Sequence, residues 1–591
     1  MQITGAELFV KALLQEQVDT LFAYPGGQAI DLFNALYGAK GIDIILPRHE
    51  QGLIHAADGY ARSTGKTGVC LVTSGPGATN LVTGIATANY DCVPLVCFTG
   101  QVPTHLLGNR AFQEVDIVSI TKSITKYAVT VRKREELAGT IRKAFHIAKS
   151  GKPGVVVVDL PKDIQQALGS AESGNEFEQD AKRRSGQDGT TDSENEETCG
   201  DEALAEKMKE ISDCLRRAKR PVFLAGGGVG IARAGKEMTA LAEKTGIPVV
   251  TTIMGKGALP ANHPLYVGNV GVHGSYAANM AVSECDLLLS VGVRFSDRIV
   301  GNAKEFAKNA VIVHIDIEPE SVSRDVSVDI SVKADAKAAI AELLETAADF
   351  GFAGWRQEIR AWEQERPLIA EQCGESRVTP LAVIRKINAL FSDVIITTDV
   401  GQNQLWTTQF LELTDRKLML TSGGLGTMGY GLPAAIGAKL GNPQKDVIAV
   451  CGDGGIQMTV QELATAVVYE LPIIICILNN GYLGNVRQWQ EMFYDRRYSC
   501  TCLRRRKDCP ELCRKPSDAC PEYTPDFVRL AESYGARGIR VLEQEEIEGA
   551  FFAAKAERKR PTVIEFIIGR EENVLPIVPP GKGVGEMIFT M

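Results

Sequence analysis

The sequence predicts an α/β protein with three doubly wound parallel-sheet domains. Short apolar runs bounded by glycine or proline, such as GVCLVTSG, PGVVVVDLP and PIIICILNN, alternate with helix-patterned stretches from end to end, which is typical of parallel sheets covered by helices. The chain has 591 residues, enough for three or four domains at about 100–200 residues each. Its hydrophobic fraction of 45% and charged fraction of 23% are those of a globular protein with several buried cores.

Charge and hydropathy argue against two classes of partner. The 64 basic and 73 acidic residues give a formal charge of -9, which repels a phosphate backbone, so we expect no nucleic-acid partner. No apolar run reaches the roughly 18 residues of a membrane span, and the first residues lack a basic region followed by an apolar stretch and a cleavage site. We therefore expect no membrane contact and a cytoplasmic location.

The domain boundaries are predicted from changes in composition. Residues 169–200 are rich in glycine, serine, aspartate and glutamate, and their only large apolar side chain is Phe177, so this segment cannot bury enough surface to fold by itself. A second boundary falls in a charged helical stretch before DVIITTD, where the alternation resumes. We predict a first domain over 1–168, a flexible acidic linker over 169–202, a central domain over 203–350, a connecting helical segment over 351–378, a C-terminal domain over 379–570 with a cysteine-rich insert at 500–523, and a tail over 571–591.

The most informative segment runs from GDGG to NN. The apolar strand DVIAVC ends in Gly452-Asp453-Gly454, and the next apolar strand ends in Asn479-Asn480. Because parallel strands end at one edge of a sheet, we expect the Asp453 carboxylate and the Asn480 amide oxygen to meet beside a helix N-terminus. Oxygen ligands of this kind suit Mg²⁺ and a bound diphosphate, which the flanking glycines allow the backbone to approach. Taken separately, GDG and NN are also ordinary turn sequences.

This spacing of GDG and NN resembles the fingerprint of thiamin diphosphate enzymes, which bind the cofactor's pyrimidine with their first domain and its diphosphate with their last. The resemblance implies that Glu50 hydrogen-bonds the aminopyrimidine ring and protonates a ring nitrogen, whereas by position alone it would be a surface carboxylate. It implies that Met428 props the cofactor in a bent conformation, although methionine is also a common core filler. The other positions that it implies are Gly26, Gln402, Asn403, Gly426, Gly454 and Gly455 for the cofactor, and Tyr482 beside Asp453 and Asn480 for the metal.

Four further blocks make the chain similar to the catalytic large subunits of acetohydroxyacid synthases, also called acetolactate synthases: AFQEVDIVSITKSITKYA, MGKGALP with GVHGSYAANMAV, GVRFSDRIVG with HIDIEP, and VRQWQEMFYDRRY. The likeness places Phe112 and Gln113 at the reacting centre. It places Lys126 and Arg298 at the entrance, where a 2-ketoacid carboxylate needs a positive partner. Trp489 would contact the acceptor. As isolated residues, the two basic side chains would be surface charges and Trp489 a core aromatic.

The central domain raises the question of a second cofactor. GGGVGIARAG after PVFLA resembles a dinucleotide loop, but no well-placed acidic residue follows to hold a ribose, so an NAD-dependent dehydrogenase is poorly supported. GVRFSDRIVG with VHG instead resembles the surface on which the biosynthetic synthases hold FAD in a structural role. The FAD-binding residues that this resemblance implies are Gly271, His273, Gly274, Arg294 and Asp316.

The resemblance implies a thiamin diphosphate-dependent transferase of branched-chain amino acid synthesis. It would join pyruvate, with loss of carbon dioxide, to a second pyruvate or to 2-ketobutyrate. It would be a homodimer or homotetramer with a regulatory small subunit. A flavin-linked pyruvate oxidase and a non-catalytic protein on the same fold are the alternatives, and the second is disfavoured because Glu50, Asp453 and Asn480 are all present.

Three positions depart from the family pattern. Asn485 stands where methionine is usual, Arg110 where an acidic residue is usual, and Ser296 where aspartate is usual. Asn485 lies one helical turn before Trp489, so the acceptor preference is the property that these departures put in question.

The insert concentrates five of the 14 cysteines within residues 500–520. The others lie scattered, mostly in apolar runs, and are expected to be reduced core thiols. Three states of the insert stay open: a zinc site, for which CPELC offers a ligand pair, a redox-sensitive disulfide, or unpaired thiols. A reducing cytoplasm disfavours a permanent disulfide. The cysteines concerned are Cys500, Cys502, Cys509, Cys513 and Cys520.

Overall fold

The computed structural model describes residues 2–171, 201–319, 326–368, 378–517 and 519–590, with the backbone alone at 201–202. It confirms the prediction of three doubly wound α/β domains, because each domain contains a six-stranded sheet whose strands are all parallel. The flexible linker predicted over 169–202 lies almost wholly outside the described residues. In the parts of the chain that are described, no helix is both long and apolar enough to cross a membrane.

The first domain begins with a capping box, in which Thr4 and Glu7 satisfy each other's backbone N–H groups at the start of the first helix. Its strands are β1 (Gln2–Thr4), β2 (Thr20–Ala23), β3 (Asp43–Ile45), β4 (Gly68–Val72), β5 (Leu95–Gln101), β6 (Tyr127–Thr130), β7 (Val155–Pro161) and β8 (Leu168–Ser170). The sheet order is β3-β2-β4-β5-β7-β6, and β1 pairs with β8 in antiparallel fashion. The helices are Gly5–Gln15, Ile30–Leu36, Glu50–Thr64, Pro76–Thr79, Val82–Tyr90, Ile117–Thr121, Leu137–Lys149 and Lys162–Gln166.

The central domain has the sheet order β11-β10-β9-β12-β13-β14, with strands β9 (Pro221–Ala225), β10 (Val249–Thr251), β11 (Tyr266–Asn269), β12 (Leu287–Val291), β13 (Val311–Asp316) and β14 (Ile330–Lys333). Its helices are Asp201–Arg217, Gly227–Ile231, Gly235–Thr245, Tyr276–Glu284, Asp297–Val300, Ala336–Thr346 and Ala353–Glu365. The last of these falls in the segment predicted to connect domains, but it packs on the central core: Trp355 is buried there and its indole N–H donates to Pro221 O at 3.1 Å.

The third domain has the order β16-β15-β17-β18-β20-β19, with strands β15 (Val394–Thr398), β16 (Lys417–Leu420), β17 (Asp446–Gly452), β18 (Ile474–Asn479), β19 (Arg537–Val541) and β20 (Thr562–Ile567). Its helices are Pro380–Leu390, Gln402–Phe410, Gly431–Gly441, Asp453–Ile456, Glu462–Val468, Gly484–Phe493, Phe527–Ser533 and Glu546–Ala556. In all three sheets the strand order reverses next to a central strand, and ligands of such folds bind in the crevice outside the carboxyl ends at that point.

The first and third domains share a close helix interface. Helix Glu50–Thr64 lies against helix Gly431–Gly441, and a side chain on Gly59 or Gly437 would lie within about 2 Å of a backbone oxygen of the facing helix. Glycine at these two positions therefore lets the backbones touch. The apolar residues of both helices belong to one core cluster that spans the two domains. The interface fixes the helix that begins at Glu50 against the third domain.

The segment predicted as a tail over 571–591 is ordered and connects two domains. We call residues 572–584 the C-terminal strap. Val574 belongs to the core of the third domain and Val584 to that of the central domain. Between them, Val578 N–H donates to Val272 O at 2.8 Å, and Gly583 pairs with Gly301. The strap therefore joins the helix that carries Trp489 to the loop that carries His273.

Candidate active site

Asp453 and Asn480 lie together at the carboxyl edge of the third sheet. Asp453 follows β17 and is 1% exposed, and its Oδ2 accepts a hydrogen bond from the Gly481 N–H at 3.1 Å. Asn480 follows β18, and its Oδ1 accepts from the Tyr482 N–H at 3.0 Å. Burial raises the pKa of Asp453 to about 7, although backbone hydrogen bonds oppose the rise. A divalent cation would offset the cost of burying this carboxylate, so the oxygen donor set fits Mg²⁺.

Gln402 holds the Asn480 amide in place. Its Oε1 accepts from Asn480 Nδ2 at 3.1 Å, while its Nε2 donates to Gln488 Oε1 at 3.0 Å and to Glu572 O at 2.9 Å. A side chain at Gly484 would lie 2.1 Å from Gln402 Oε1, so this contact requires glycine there. Gln402 thus acts through Asn480, with its own amide engaged inside the protein.

Asn403 and Asp399 organise the loops around this crevice. Asn403 Nδ2 donates to Asp399 O at 2.9 Å and to Val450 O at 3.0 Å, which ties the ends of β15 and β17. Both amide protons are used, so Asn403 offers a diphosphate its backbone N–H at a helix N-terminus. The buried Asp399 carboxylate accepts from three backbone N–H groups, at Val400, Gly429 and Gly431.

Asp399 was not predicted as a site residue. The pattern that points to it is a carboxylate directly after the apolar strand VIITT. Its Oδ1 lies 2.2 Å from where a side chain on Gly455 would begin, so the predicted Gly455 is needed for this close approach. Asp399 therefore joins the GDGG turn to the loop that carries Met428.

Met428 lies next to the GDG turn. Its Cε is 3.8 Å from where a side chain on Gly454 would begin. Gly426 is exposed and has a φ of 72°, the left-handed region that favours glycine. The same Gly454 position faces Leu503 Cδ1 at 3.6 Å, so the cysteine-rich insert also reaches this turn.

Glu50 begins its helix at the carboxyl edge of the first sheet. It is 9% exposed, and its Oε2 accepts from Asn80 Nδ2 at 2.9 Å. Its other oxygen faces Gly77, where an added side chain would lie 3.4 Å away. At the neighbouring strand end, Gly26 packs so closely on Thr73 that a side chain would lie 2.5 Å from it.

Glu462 of the third domain holds the chain directly before Glu50. Its carboxylate is 1% exposed and accepts from the Arg48 N–H at 3.0 Å and the His49 N–H at 3.1 Å. Burial raises the pKa of Glu462, against the effect of these hydrogen bonds. Sequence reasoning missed both Glu462 and Asn80, because their partners lie far away or across a turn in the chain.

Phe112 and Gln113 lie in a loop next to Glu50. Gln113 has a φ of 61°, and its carbonyl oxygen is 2.9 Å from where a side chain on Gly75 would begin. Gly75 and Gly77 lie two residues apart in one tight turn. Gln113 contacts this turn at Gly75, and Glu50 contacts it at Gly77. Phe112 is 84% exposed, which is unusual for a phenylalanine and leaves its ring available to a ligand or to another chain.

The structure does not bring Lys126 to this site. Its Nζ donates to Ile147 O and Ser150 O, both at 2.6 Å, at the end of helix Leu137–Lys149. This position is at the edge of the sheet opposite to Glu50, since the Lys126 N–H bonds to the first residue of β7. A basic side chain does lie at the carboxyl edge: Lys162 follows β7, and its Nζ donates to Gly27 O at 3.0 Å.

Arg298 lies on an exposed short helix of the central domain, with its side chain 68% exposed. Its carbonyl oxygen accepts from the Val272 N–H at 2.9 Å and lies 2.4 Å from where a side chain on Gly271 would begin. Burial lowers the pKa of the neighbouring His273 to about 4, and the His273 Nδ1 is buried without a partner in the described part of the chain. The loop therefore presents an unpaired polar group beside Arg298.

The remaining residues predicted for FAD also lie at the carboxyl edge of the central sheet. Gly274 is packed against Asn269 O, 2.5 Å from where its side chain would begin, and Asp316 ends β13. The Arg294 guanidinium donates to Tyr90 O in the first domain. The GGG loop packs on Gly292, 2.6 Å from where a side chain on Gly228 would begin, so close backbone contact accounts for these glycines. Glycine turns, a cation and an unpaired imidazole nitrogen fit an anionic cofactor such as FAD.

Trp489 and Asn485 lie on one face of helix Gly484–Phe493. The Trp489 ring is in edge contact with Phe493, with 5.8 Å between centroids. Trp489 Nε1 and Asn485 Oδ1 are both buried without a partner among the described residues. The helix is held by the strap, because Gln488 exchanges two hydrogen bonds of 2.9 Å with the backbone of Val574. An unmatched donor and an unmatched acceptor thus lie on the same face of this helix.

The cysteine-rich insert contains free thiols. All five cysteines between 500 and 520 are free thiols in this structure, and the redox-sensitive disulfide stays an untested alternative. No three cysteine, histidine or acidic side chains of the described chain are placed to hold a single metal ion, so the zinc alternative finds no support in the geometry. Tyr482, predicted at the magnesium site, lies between the two regions: it follows Asn480, and its side chain lines a cavity with four of the thiols.

Models of thiamine pyrophosphate enzymes match all three domains. The N-terminal TPP binding domain matches residues 3–120, the central domain 208–343, and the C-terminal TPP binding domain 399–566. These ranges contain the whole central sheet, most strands of the other two sheets and most of the site residues described above.

Curated relatives match the chain over nearly its whole length. The chain is 42% identical to the probable acetolactate synthase large subunit of Methanocaldococcus jannaschii, over 98% of this chain and 94% of that protein. It is 39% identical to the acetolactate synthase isozyme 3 large subunit of Escherichia coli strain K12, over 99% and 98%. It is 40% identical to the acetolactate synthase large subunit of Lactococcus lactis, over 99% and 96%. With this identity and the three matching domains, the chain belongs to the acetolactate synthase large subunits, a family of thiamine pyrophosphate enzymes.

Proposed function

We propose that this chain catalyses the decarboxylating joining of pyruvate to a second pyruvate or to 2-ketobutyrate. The products are 2-acetolactate and 2-aceto-2-hydroxybutyrate, precursors of branched-chain amino acids. The observation that carries the proposal is the pairing of the buried Asp453 with Asn480 in the crevice of the third sheet, with Met428 over the same turn. Membership of the family gives this arrangement its substrate class.

Asp453 and Asn480 would hold Mg²⁺ on the diphosphate of thiamin diphosphate. When bound, the cofactor supplies the carbanion stabilisation that decarboxylation and carbon–carbon bond formation need. Gln402 fixes which atom Asn480 would turn toward the metal, because it takes up the Nδ2 group. The Oδ1 atom, which accepts one hydrogen bond from the Tyr482 N–H, would bind the cation with its second lone pair. Asn403 contributes a backbone N–H at a helix N-terminus to the diphosphate.

Glu50 would hold and return a proton at the pyrimidine ring. Its carboxylate is buried and accepts a hydrogen bond from Asn80. The backbone just before Glu50 is fixed in place by the hydrogen bond from the Arg48 N–H to Glu462. A carboxylic acid in a fixed place is suited to general acid–base work. Phe112 and Gln113 would contact the substrate. They lie on the Gly75 side of the turn, whereas Glu50 lies on the Gly77 side.

Arg298 and Trp489 would receive the second ketoacid. Arg298 is exposed, with its Nε 3.6 Å from the exposed carboxylate of Asp297, and would pair with the ketoacid carboxylate in place of that neighbour. Trp489 would contact the alkyl group of the acceptor. Lys126 is left out of the proposal because its amine caps a helix at the far edge of the sheet. Lys162 is the basic side chain that the fold places at the carboxyl edge.

FAD and partner chains complete the proposal. FAD would have a structural role. It would bind at the carboxyl edge of the central sheet, in contact with Gly271, His273, Gly274, Arg294 and Asp316. Relatives are named as large subunits, which supports a separate small subunit, and the exposed Phe112 ring supports a homodimer or homotetramer in which another chain covers this loop.

The test is a competition assay on the purified chain with thiamin diphosphate, Mg²⁺ and FAD. Pyruvate alone should give 2-acetolactate, and an equal mixture with 2-ketobutyrate should add 2-aceto-2-hydroxybutyrate. Electron transfer to an added quinone or to oxygen at the rate of carbon dioxide release, with little carboligation, would instead identify a pyruvate oxidase. Omitting FAD should lower the amount of active protein without creating a requirement for an electron acceptor.

A further inference from the structure

Four cysteines of the insert line a single cavity beside the third domain. We call it the cysteine cavity; Tyr482 and Tyr498 line it together with the thiols. The fifth cysteine of the insert, Cys500, is exposed and does not line it. The lining thiols are separated by six, three and six residues along the chain and belong to Cys502, Cys509, Cys513 and Cys520.

The cavity also collects positive charge. Arg504, Arg505 and Arg570 line it together with the thiols, and none of the carboxylates that the structure describes does. Arg570 donates to Cys502 Sγ at 3.7 Å. The Nε groups of Arg504 and Arg570 are buried without a partner in the described part of the chain. Neutral thiols are weak acceptors for these guanidinium groups, whereas four thiolates around a bound group would balance their positive charge.

Backbone N–H groups are aimed at two of the sulfur atoms. The Arg506 N–H donates to Cys509 Sγ at 3.4 Å, and the Ser517 N–H donates to Cys520 Sγ at 3.3 Å. Hydrogen bonds to sulfur favour the thiolate, which is the metal-binding form of cysteine.

The arrangement of the four thiols favours a cluster over a single ion. Zinc draws four sulfur atoms to about 2.3 Å from one point, but no three of the described cysteine, histidine or acidic side chains converge in that way. In an iron–sulfur cluster the four thiolates surround a core of iron and sulfide instead. We propose that the cysteine cavity binds an iron–sulfur cluster through Cys502, Cys509, Cys513 and Cys520.

Such a cluster would brace the loop that follows Asn480. Cys502 forms an antiparallel bridge with Tyr482, the Leu483 N–H donates to Thr501 O at 2.9 Å, and the Leu503 N–H donates to Gly481 O at 2.9 Å. The first ligand is therefore attached to the backbone beside the proposed magnesium site. The proposed structural consequence, which rests on the proposed function, is that loss of the cluster weakens binding of the Mg²⁺–cofactor complex.

The test measures metal and sulfide, so it does not depend on the proposed activity. The full-length chain is purified without chelators and without oxygen, and iron, zinc and acid-labile sulfide are determined per chain. We expect about two to four iron atoms with an equal amount of sulfide, and an electron paramagnetic resonance or Mössbauer signal of a cluster that bound flavin does not give. Zinc at one ion per chain, iron without sulfide, or four freely alkylated thiols in metal-free protein would overturn the proposal.

Matched variants assign the ligands. Cys509→Ser and Cys513→Ser should each lose most of the iron and sulfide, whereas Cys500→Ser, whose thiol lies outside the cavity, should retain both. Equal loss in Cys500→Ser, or full retention in Cys509→Ser, contradicts the assignment. If the ligand variants fail to fold, the iron and sulfide content of the unmodified chain, before and after reconstitution with ferrous iron and sulfide, decides the question alone.

Discussion

Replacing Glu50 by glutamine separates the proton-transfer role of this side chain from its part in the fold. The Glu50 Oε2 accepts one hydrogen bond, from Asn80 Nδ2 at 2.9 Å, and its other oxygen faces Gly77. Glutamine keeps an acceptor for Asn80 and has the same length. What is lost is the difference between a charged and a neutral hydrogen bond, so we expect the free energy of unfolding to fall by about 1 kcal/mol.

The same variant should lose much more in catalysis. A positioned acid–base group contributes about 10²-fold or more to the rate, and 10²-fold corresponds to about 2.7 kcal/mol in the barrier. The assay is initial-rate formation of 2-acetolactate at saturating pyruvate and cofactors, with urea unfolding measured on the same preparation. Asn80→Ala is the matched control: it keeps the carboxylate, so its rate should fall by less than that of Glu50→Gln.

Two results would refute this reasoning about Glu50. Near-normal turnover in Glu50→Gln would show that the carboxylate does not move the proton. A loss of stability of several kcal/mol would show that Glu50 acts mainly as a buried structural anchor.

The other predictions concern the acceptor, the strap and a buried acid. Trp489→Leu should lower the preference for 2-ketobutyrate over pyruvate by about tenfold, because one methyl contact is worth about 1–3 kcal/mol; an unchanged product ratio contradicts this. Asn485→Met should raise that preference and, since it removes a buried unpaired oxygen, raise the unfolding free energy by about 1 kcal/mol; a fall in both refutes it. Gln488→Ala breaks both bonds to Val574, so proteolysis within 571–584 should become faster while the same treatment of Asn485→Met leaves it unchanged. Burial raises the pKa of Asp159 from 3.8 to about 7, so between these values the folded protein binds a proton that the unfolded chain does not. The free energy of unfolding should therefore fall by up to about 4 kcal/mol as pH rises from about 4 through 7. Urea unfolding of Asp159→Asn should not show this loss.

Much of the fold was predictable because parallel strands are apolar on both faces and are separated by helices. The pairing of Asp453 with Asn480 was predictable for the same reason, since it needs only two strand ends at one edge. By contrast, the position of Lys126 was not predictable from a motif. A residue directly before a parallel strand lies at the amino edge of the sheet, and the motif did not indicate that a strand begins at Tyr127. The structure places it at the end opposite to Glu50.

Long-range partners were the other class that the sequence could not supply. Glu462 bonds to the backbone at Arg48, 414 residues away, and nothing local marks it. The segment after β20 has little regular structure, so its pattern indicated a tail, although its contacts with Val272 and Gly301 make it part of two domains. Helix Ala353–Glu365 was predicted to connect two domains because most of its residues are charged or polar. Only the face with Trp355 and Ile359 is buried, and it packs on the central core.

The strap has a consequence for how the protein is made. Domains form as units during synthesis, with the N-terminal ones first, and residues 572–584 leave the ribosome after all three sheets have been translated. Until then, the loop at Val272 and the helix at Gln488 each lack their backbone partners in the strap. The central and third domains are therefore expected to fold before they are fixed to each other. A released chain that ends before residue 572 should form its three sheets but lack the contacts of the strap at Val272 and Gln488.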